Sequence, residues 1–193
     1  NASFAIGMPV QGRMAVMSQS GALCSSILDW ARGEGVGFSR FVSLGNKADL
    51  NETDFLEAWG PDEHTRVILA YLEGIVDGPR FMEVARRVTR SGTPVIAIKS
   101  GTTNAGAKAV SSHTGTLAGA DAAYDAAFWQ SGVLRASSVE DLFDYALAFA
   151  RQPLLKGDRI ALVTNAGGLG IMATDACERA GLKMATLQPE TIG

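Results

Sequence analysis

With 193 residues, 47% hydrophobic and 19% charged, the chain is long enough to bury the core of one full domain and part of another. Its formal net charge of -3 gives no support for electrostatic nucleic-acid binding, and no apolar run reaches the length of a membrane span or marks a secretory leader. Since it begins without methionine and stops at Gly193, just after an unfinished unit, it is expected to be a fragment of something longer; its two isolated cysteines suit a cytoplasmic protein.

Short apolar runs alternate with longer amphipathic ones, the pattern of parallel strands joined by helices. Strands are predicted at RMAVM (13–17), RFVSL (40–44), VILAYL (67–72), PVIAIK (94–99) and RIALVT (159–164). Helices are predicted near 21–33, 52–59, 79–91, 117–131, 138–151 and 168–180. In the fourth of these, Leu117, Ala120, Tyr124, Ala127 and Phe128 share one stripe and Asp121 and Asp125 the other face, so it should pack on a sheet. RQPLLKGD (151–158), with its proline and glycine, looks like a domain joint, giving an α/β domain over 1–155 and the start of a second over 156–193.

Parallel crossovers place the carboxyl ends of all strands on one edge, where open α/β sheets bind ligands. In order that edge would carry SQSG (18–21), GNKAD (45–49), Glu73-Gly74 and the segment beginning at Ser100. The 16 residues from Gly101 to Thr116 are expected to form a long connection without regular structure, able to carry His113 back over the edge.

GRMAVMSQSGAL (12–23) laid over DRIALVTNAGGL (158–169) matches Arg13 with Arg159, Ala15 with Ala161, Gly21 with Gly167 and Leu23 with Leu169. The same offset of 146 matches Asp29 with Asp175 and Gly35 with Gly181. Two strand–turn–helix units of one design are implied. Each has a glycine-containing turn that opens a helix, offering unpaired backbone N–H groups and the positive end of the helix dipole to an anion. Ser18 or Ser20 can add a hydroxyl. The alternative is a pair of ordinary capped turns, in which Ser, Asn and Gly serve local needs. Neither turn matches GxGxxG or the P-loop pattern.

Of the two histidines, His64 in PDEHTR, between a helix and a strand, is read as structural or solvent-exposed rather than catalytic. His113 has small neighbours that leave its ring accessible, and a neutral imidazole is a competent nucleophile near pH 7 when a partner holds its other nitrogen. Glu73, at a predicted strand end, is the carboxylate best placed for that role, although it would equally suit a solvated turn. SQSG lacks the GxSxG form of a serine hydrolase elbow. Cys24 and Cys177 sit in apolar helical segments without CxxC or Cys/His clusters, so they are expected to be reduced, buried thiols, and no metal site is expected.

MSQSGAL, VSLGNKADL, YLEG, IKSG, SSHTGTLAG and TNAGGLG, in that order, resemble the NDP-forming acyl-CoA synthetases, the ADP-forming acetate–CoA ligases related to succinyl-CoA synthetase. The resemblance implies a flavodoxin-like doubly wound parallel sheet, followed by the start of a second similar domain. It implies reversible conversion of acyl-CoA, phosphate and ADP into carboxylic acid, CoA and ATP through an acyl phosphate and a phosphorylated histidine. His113 would carry the phosphoryl group and Glu73 would hold its ring. Ser20, Gly21 and Ala22 would form one phosphate cradle and Ala166, Gly167 and Gly168 the second. The implied partners are a CoA-binding domain and an ATP-grasp domain or subunit, which would bind nucleotide and Mg²⁺, in a possible homo- or hetero-oligomer. A ligase-like, acyl-CoA-sensing region of a GNAT-fused protein lysine acetyltransferase shares the framework and is the alternative; the intact SSHTG favours the ligase.

Overall fold

The computed structural model describes residues 9–114 and 121–192, the side chains of 104, 111–114 and 192 excepted. The chain divides into two compact units between Gln152 and Pro153. The first contains β1 (Gln11–Ser18), α1 (Gly21–Gly33), β2 (Phe38–Ser43), α2 (Glu52–Trp59), β3 (Val67–Leu72), α3 (Gly78–Arg90), β4 (Val95–Lys99), α4 (Asn104–Thr114), α5 (Asp121–Ser131), β5 (Leu134–Arg135) and α6 (Val139–Arg151). All its strands run parallel in a five-stranded sheet of order β2-β1-β3-β4-β5, the flavodoxin-like arrangement.

The alternation within each strand sorts two cores onto opposite faces. Ala15 and Met17 of β1, Ile68, Ala70 and Leu72 of β3 and Ala97 of β4 pack with Leu56, Phe81, Val84 and Phe128 from α2, α3 and α5. Met14, Val16, Val67, Leu69 and Ile96 pack with Ile27 and Ala31 of α1 and Leu142, Phe143 and Ala146 of α6. Trp30 of α1 and Phe143 of α6 stack with ring centroids 3.9 Å apart and planes 6° from parallel. Because β1 leads to β2 on one side and β2 returns past it to β3 on the other, right-handed crossovers put α1 and α2 on opposite faces. The reversal leaves a crevice at the carboxyl ends of β1 and β3.

The helix starts follow local chemistry. Asn51 forms a capping box with Asp54, Asp77 caps α3 at Arg80 N ahead of a proline in the first turn, and Ser138 caps α6 at Asp141 N. In α5, Tyr124 and Phe128 join the core while Asp121 and Asp125 both pair with Arg135 of β5. Leu117 and Ala120, also assigned to this helix from sequence, lie outside the described residues.

Three expectations need correction. The connection after β4 is not without regular structure: residues 104–114 are helical. Thr103 Oγ accepts from Gly106 N at 3.0 Å and its carbonyl from Ala107 N at 2.7 Å, and Ala105, Ala107, Lys108 and Ala109 then favour the helix that the glycine and serines obscured. The strand expected over 159–164 is ordered as a ladder only at β6 (Arg159–Ile160), because its partner β7 (Lys183–Met184) supplies two paired residues and Val163 stands 99% exposed. Of the cysteines, Cys24 is buried but Cys177 is only half-buried, since α7 (Gly167–Arg179) has no buried residue.

The second unit consists of β6, α7, β7 and the short α8 (Pro189–Ile192). Among the described residues no helix is long and apolar enough to cross a membrane.

Candidate functional site

Ser18, the last residue of β1, is fully buried. Its hydroxyl donates to Ser20 O at 2.8 Å and accepts from Ser20 N at 3.0 Å, turning the chain sharply into α1. Ser20 is the helix cap, its Oγ accepting from Leu23 N at 3.3 Å and its carbonyl from Cys24 N at 3.2 Å. Gly21 and Ala22 lie exposed at the helix start, and among the described residues no hydrogen bond reaches their amides. A Cβ placed on Gly21 would meet only Ser43 Oγ, at 3.9 Å. The positive end of α1 therefore stays open to an anion beside the crevice. Below it, burial pushes the Cys24 thiol up from its ordinary pKa, which argues against a reactive thiolate.

The second turn reproduces the hydroxyl and main-chain bonds of the first at the offset of 146. Thr164 Oγ accepts from Ala166 N at 3.0 Å, and Ala166 O accepts from Gly170 N at 3.1 Å. The far ends also agree: Val36 N donates to Ala31 O at 2.8 Å and Leu182 N to Cys177 O at 2.9 Å, with Gly35 and Gly181 at φ of 63° and 77°. The difference is at the cap, where Ala166 has no side chain to spend on the helix. Gly167 and Gly168 are exposed, with nothing within 4 Å of an added Cβ on either.

Glu73 follows β3 directly and is 9% exposed, and its Oε2 is buried without a hydrogen-bond partner. Ser100, next after β4, has its buried Oγ in the same condition. Leu72 pairs with Lys99 and Ser100 N donates to Leu72 O at 3.0 Å, so Glu73 and Ser100 stand side by side one residue past the ladder. Buried polar atoms without partners are costly; among the described residues the only other such side-chain atom is Thr53 Oγ1 of α2, so two of the three fall on adjacent strand ends at this edge. Close by, Lys99 is 5% exposed, with its ammonium 4.6 Å from the centroid of the Tyr124 ring and bonded to the Ser100 carbonyl. Burial holds its pKa below the usual lysine value, against the pull of Asp121 and Glu73.

His113 falls on the last turn of α4, and its side chain lies outside the described residues. His64 is a surface residue, with its side chain 63% exposed. Among the described residues no group of three or more His, Cys, Asp or Glu stands ready to hold a metal ion.

Sequence reasoning missed several residues here. Gln19 was passed over inside SQSG, yet its side chain spans the crevice: Oε1 accepts from Glu73 N at 2.7 Å and Gly74 N at 3.1 Å, and Nε2 donates to Gly74 O at 2.8 Å. Glu52, in the first turn of α2, is fully buried and pairs with Lys47 at 3.2 Å. Lys47 lay within the flagged GNKAD edge; Glu52 carried no signal beyond the acidic first turn usual in helices.

An open parallel sheet of this order, with an uncovered helix start and a buried carboxylate at its reversal point, defines a doubly wound α/β domain of the kind whose ligand sites lie at that point. The family model described as "Succinyl-CoA ligase like flavodoxin domain" matches residues 11–149, and the chain belongs to that family. It is 52% identical over 192 residues to the ADP-forming acetate–CoA ligase I of Archaeoglobus fulgidus, covering 100% of this chain and 28% of that protein. It is 50% identical over 184 residues to the alpha subunit of the ADP-forming acetate–CoA ligase I of Pyrococcus furiosus, covering 95% of this chain and 40% of the subunit. Among solved structures, it superposes on the dinucleotide-forming acetyl-coenzyme A synthetase 1 of Candidatus Korarchaeum cryptofilum, in complex with phosphate and ADP. That match has a TM-score of 0.87 at 43% identity, over 97% of this chain and 41% of that one. The chain thus spans well under half the length of these relatives.

Proposed function

We propose that the chain is the phosphohistidine-bearing part of an ADP-forming acyl-CoA ligase. The observation that carries this reading is the pairing, at one crevice, of the open α1 start with the buried, unpartnered Glu73 carboxylate oxygen. A carboxylate in that setting suits a task of holding an imidazole N–H, and exposed helix amides suit a phosphate.

In the proposed reaction CoA leaves as phosphate adds to the acyl carbonyl, giving an acyl phosphate. An unprotonated ring nitrogen of His113 attacks its phosphorus, the P–O bond to the acyl group breaks, and the carboxylate departs. Glu73 accepts the hydrogen bond from the other ring nitrogen and stabilises the positive charge that the ring acquires. Attack on the phosphohistidine by the terminal phosphate oxygen of ADP breaks the P–N bond and gives ATP. Ser20, Gly21 and Ala22 cradle the phosphate at one station, and Ala166, Gly167 and Gly168 at a second. Domains or a subunit outside this chain bind CoA and the nucleotide with Mg²⁺, which neutralises phosphate charge; their substrate is a small carboxylic acid. Similarity to ligases named for acetate supports this placement.

The complete protein, incubated with γ-labelled ATP and Mg²⁺, is expected to give an acid-labile, base-stable phosphoprotein. His113→Ala should abolish the label, and its persistence in that variant overturns the assignment.

A further inference from the structure

Resting on that reading, we infer that Gln19 is a positioning residue, which fixes the peptide of Glu73 with respect to the phosphate cradle and is itself braced by the buried Lys47–Glu52 pair. Gln19 sits between Ser18 and Ser20, in the turn that opens α1, and its backbone N donates to Tyr71 O at 3.1 Å. From there its amide group makes four contacts across the crevice. The oxygen takes the Glu73 and Gly74 amides at 2.7 and 3.1 Å, and the nitrogen gives to Gly74 O at 2.8 Å and Glu52 Oε2 at 3.3 Å.

The second layer locks the same turn. Lys47 Nζ donates to Gly74 O at 2.8 Å and meets Glu52 Oε2 at 3.2 Å, while Glu52 Oε1 accepts from Val76 N at 2.8 Å. Lys47 adopts φ of 55°, the left-handed region that a lysine enters only when its surroundings require it. A fully buried glutamate paired with a lysine of 10% side-chain exposure is a weak source of stability, because desolvation offsets the attraction. Its worth is in fixing one geometry. Every group in the network addresses residues 73–76, and none bonds to the free Oε2 of Glu73. The device thus holds the backbone of Glu73 and leaves its carboxylate Oε2 available to accept a hydrogen bond.

The test uses the complete ligase with labelled ATP and Mg²⁺. Gln19→Leu should slow phosphorylation of His113 by about 10- to 100-fold, the scale of a misplacement near 1 Å, without raising the nucleotide KM. The acid limb of the pH–rate profile should move to lower pH, as in Glu73→Gln, because a carboxylate beside imidazole raises its pKa. Q19E places a second carboxylate against Glu52, and Q19E/E52Q restores one donor and one carboxylate to the pair, so the double variant should recover rate over Q19E. If Gln19→Leu does not fold, the Q19E against Q19E/E52Q comparison decides. A wild-type rate and pH profile in Gln19→Leu, or equal rates in Q19E and Q19E/E52Q, overturns the positioning role. A wild-type protein that takes no label at His113 overturns the functional reading itself.

Discussion

The ammonium of Lys99 stands over the ring of Tyr124, 4.6 Å from its centroid, at the carboxyl end of β4. Burial lowers the pKa of Lys99 in the fold, so the charged form is disfavoured there relative to the unfolded chain. At pH values below the folded pKa this costs stability. The cost is relieved as pH rises through the folded pKa towards the ordinary lysine value. Lys99→Met should therefore be at least as stable as the parent at neutral pH, with its advantage shrinking as pH rises across that window. Urea unfolding over a pH series checks this; a variant that is weaker at neutral pH with an unchanged pH slope contradicts it.

Close backbone approach between β1 and the start of β2 requires glycine. A Cβ on Gly37 would lie 2.4 Å from Gln11 O, and one on Gly12 would lie 2.2 Å from the Gly37 carbonyl carbon. Gly37→Ala should lose about 1–3 kcal/mol by forcing the strands apart. Gly33→Ala, at the end of α1 with nothing within 4 Å, is the control and should be neutral or gain up to about 1 kcal/mol. Chemical denaturation of the pair reads the difference.

The helix-start glycines invert that logic. Gly21 and Gly167 have room for a methyl group, so alanine at either should leave stability unchanged within about 0.5 kcal/mol. Their proposed use is to let a phosphate reach the backbone, so Gly21→Ala and Gly167→Ala in the complete protein should weaken phosphate use while the melting temperature holds. Equal loss of stability and activity would assign these glycines to folding.

Two adjacent aromatic residues of α5 separate core from surface. Phe128 is 1% exposed, against Phe81 and Tyr124, whereas Trp129 is 84% exposed. Phe128→Ala should cost about 3–5 kcal/mol and Trp129→Ala within about 0.5 kcal/mol, as measured by urea titration.

The framework was legible because it is written in periodicity. β3 occupies the expected 67–72, and the apolar runs of β1, β2 and β4 shift by no more than two residues at either end. What escaped was set by partners distant in sequence. β5 is two residues long and exists through its pairing with β4, so its own sequence carries little strand signal. α4 was hidden because Gly106 and the serines read as a loop, while the deciding cap at Thr103 is a single side-chain bond. At the site, Glu73 and the turn residues were visible as polar groups following apolar runs. The Gln19–Glu52–Lys47 network was not, because its three members lie on three segments that meet only once the sheet order reverses between β1 and β3.

The two matched strand–turn–helix segments keep their ends and, between them, Gly21 with Gly167, Leu23 with Leu169 and Asp29 with Asp175, while most other positions change. Ser18 is replaced by Thr164, retaining the hydroxyl that folds the turn; Gly35 and Gly181 retain the left-handed exit; Arg32 and Glu178 exchange sign at equivalent positions. A segment held by one hydroxyl, one glycine and main-chain bonds makes few demands on the rest of its sequence. Such a part can be copied, recoloured and set to a new neighbour without relearning how to start or stop its helix.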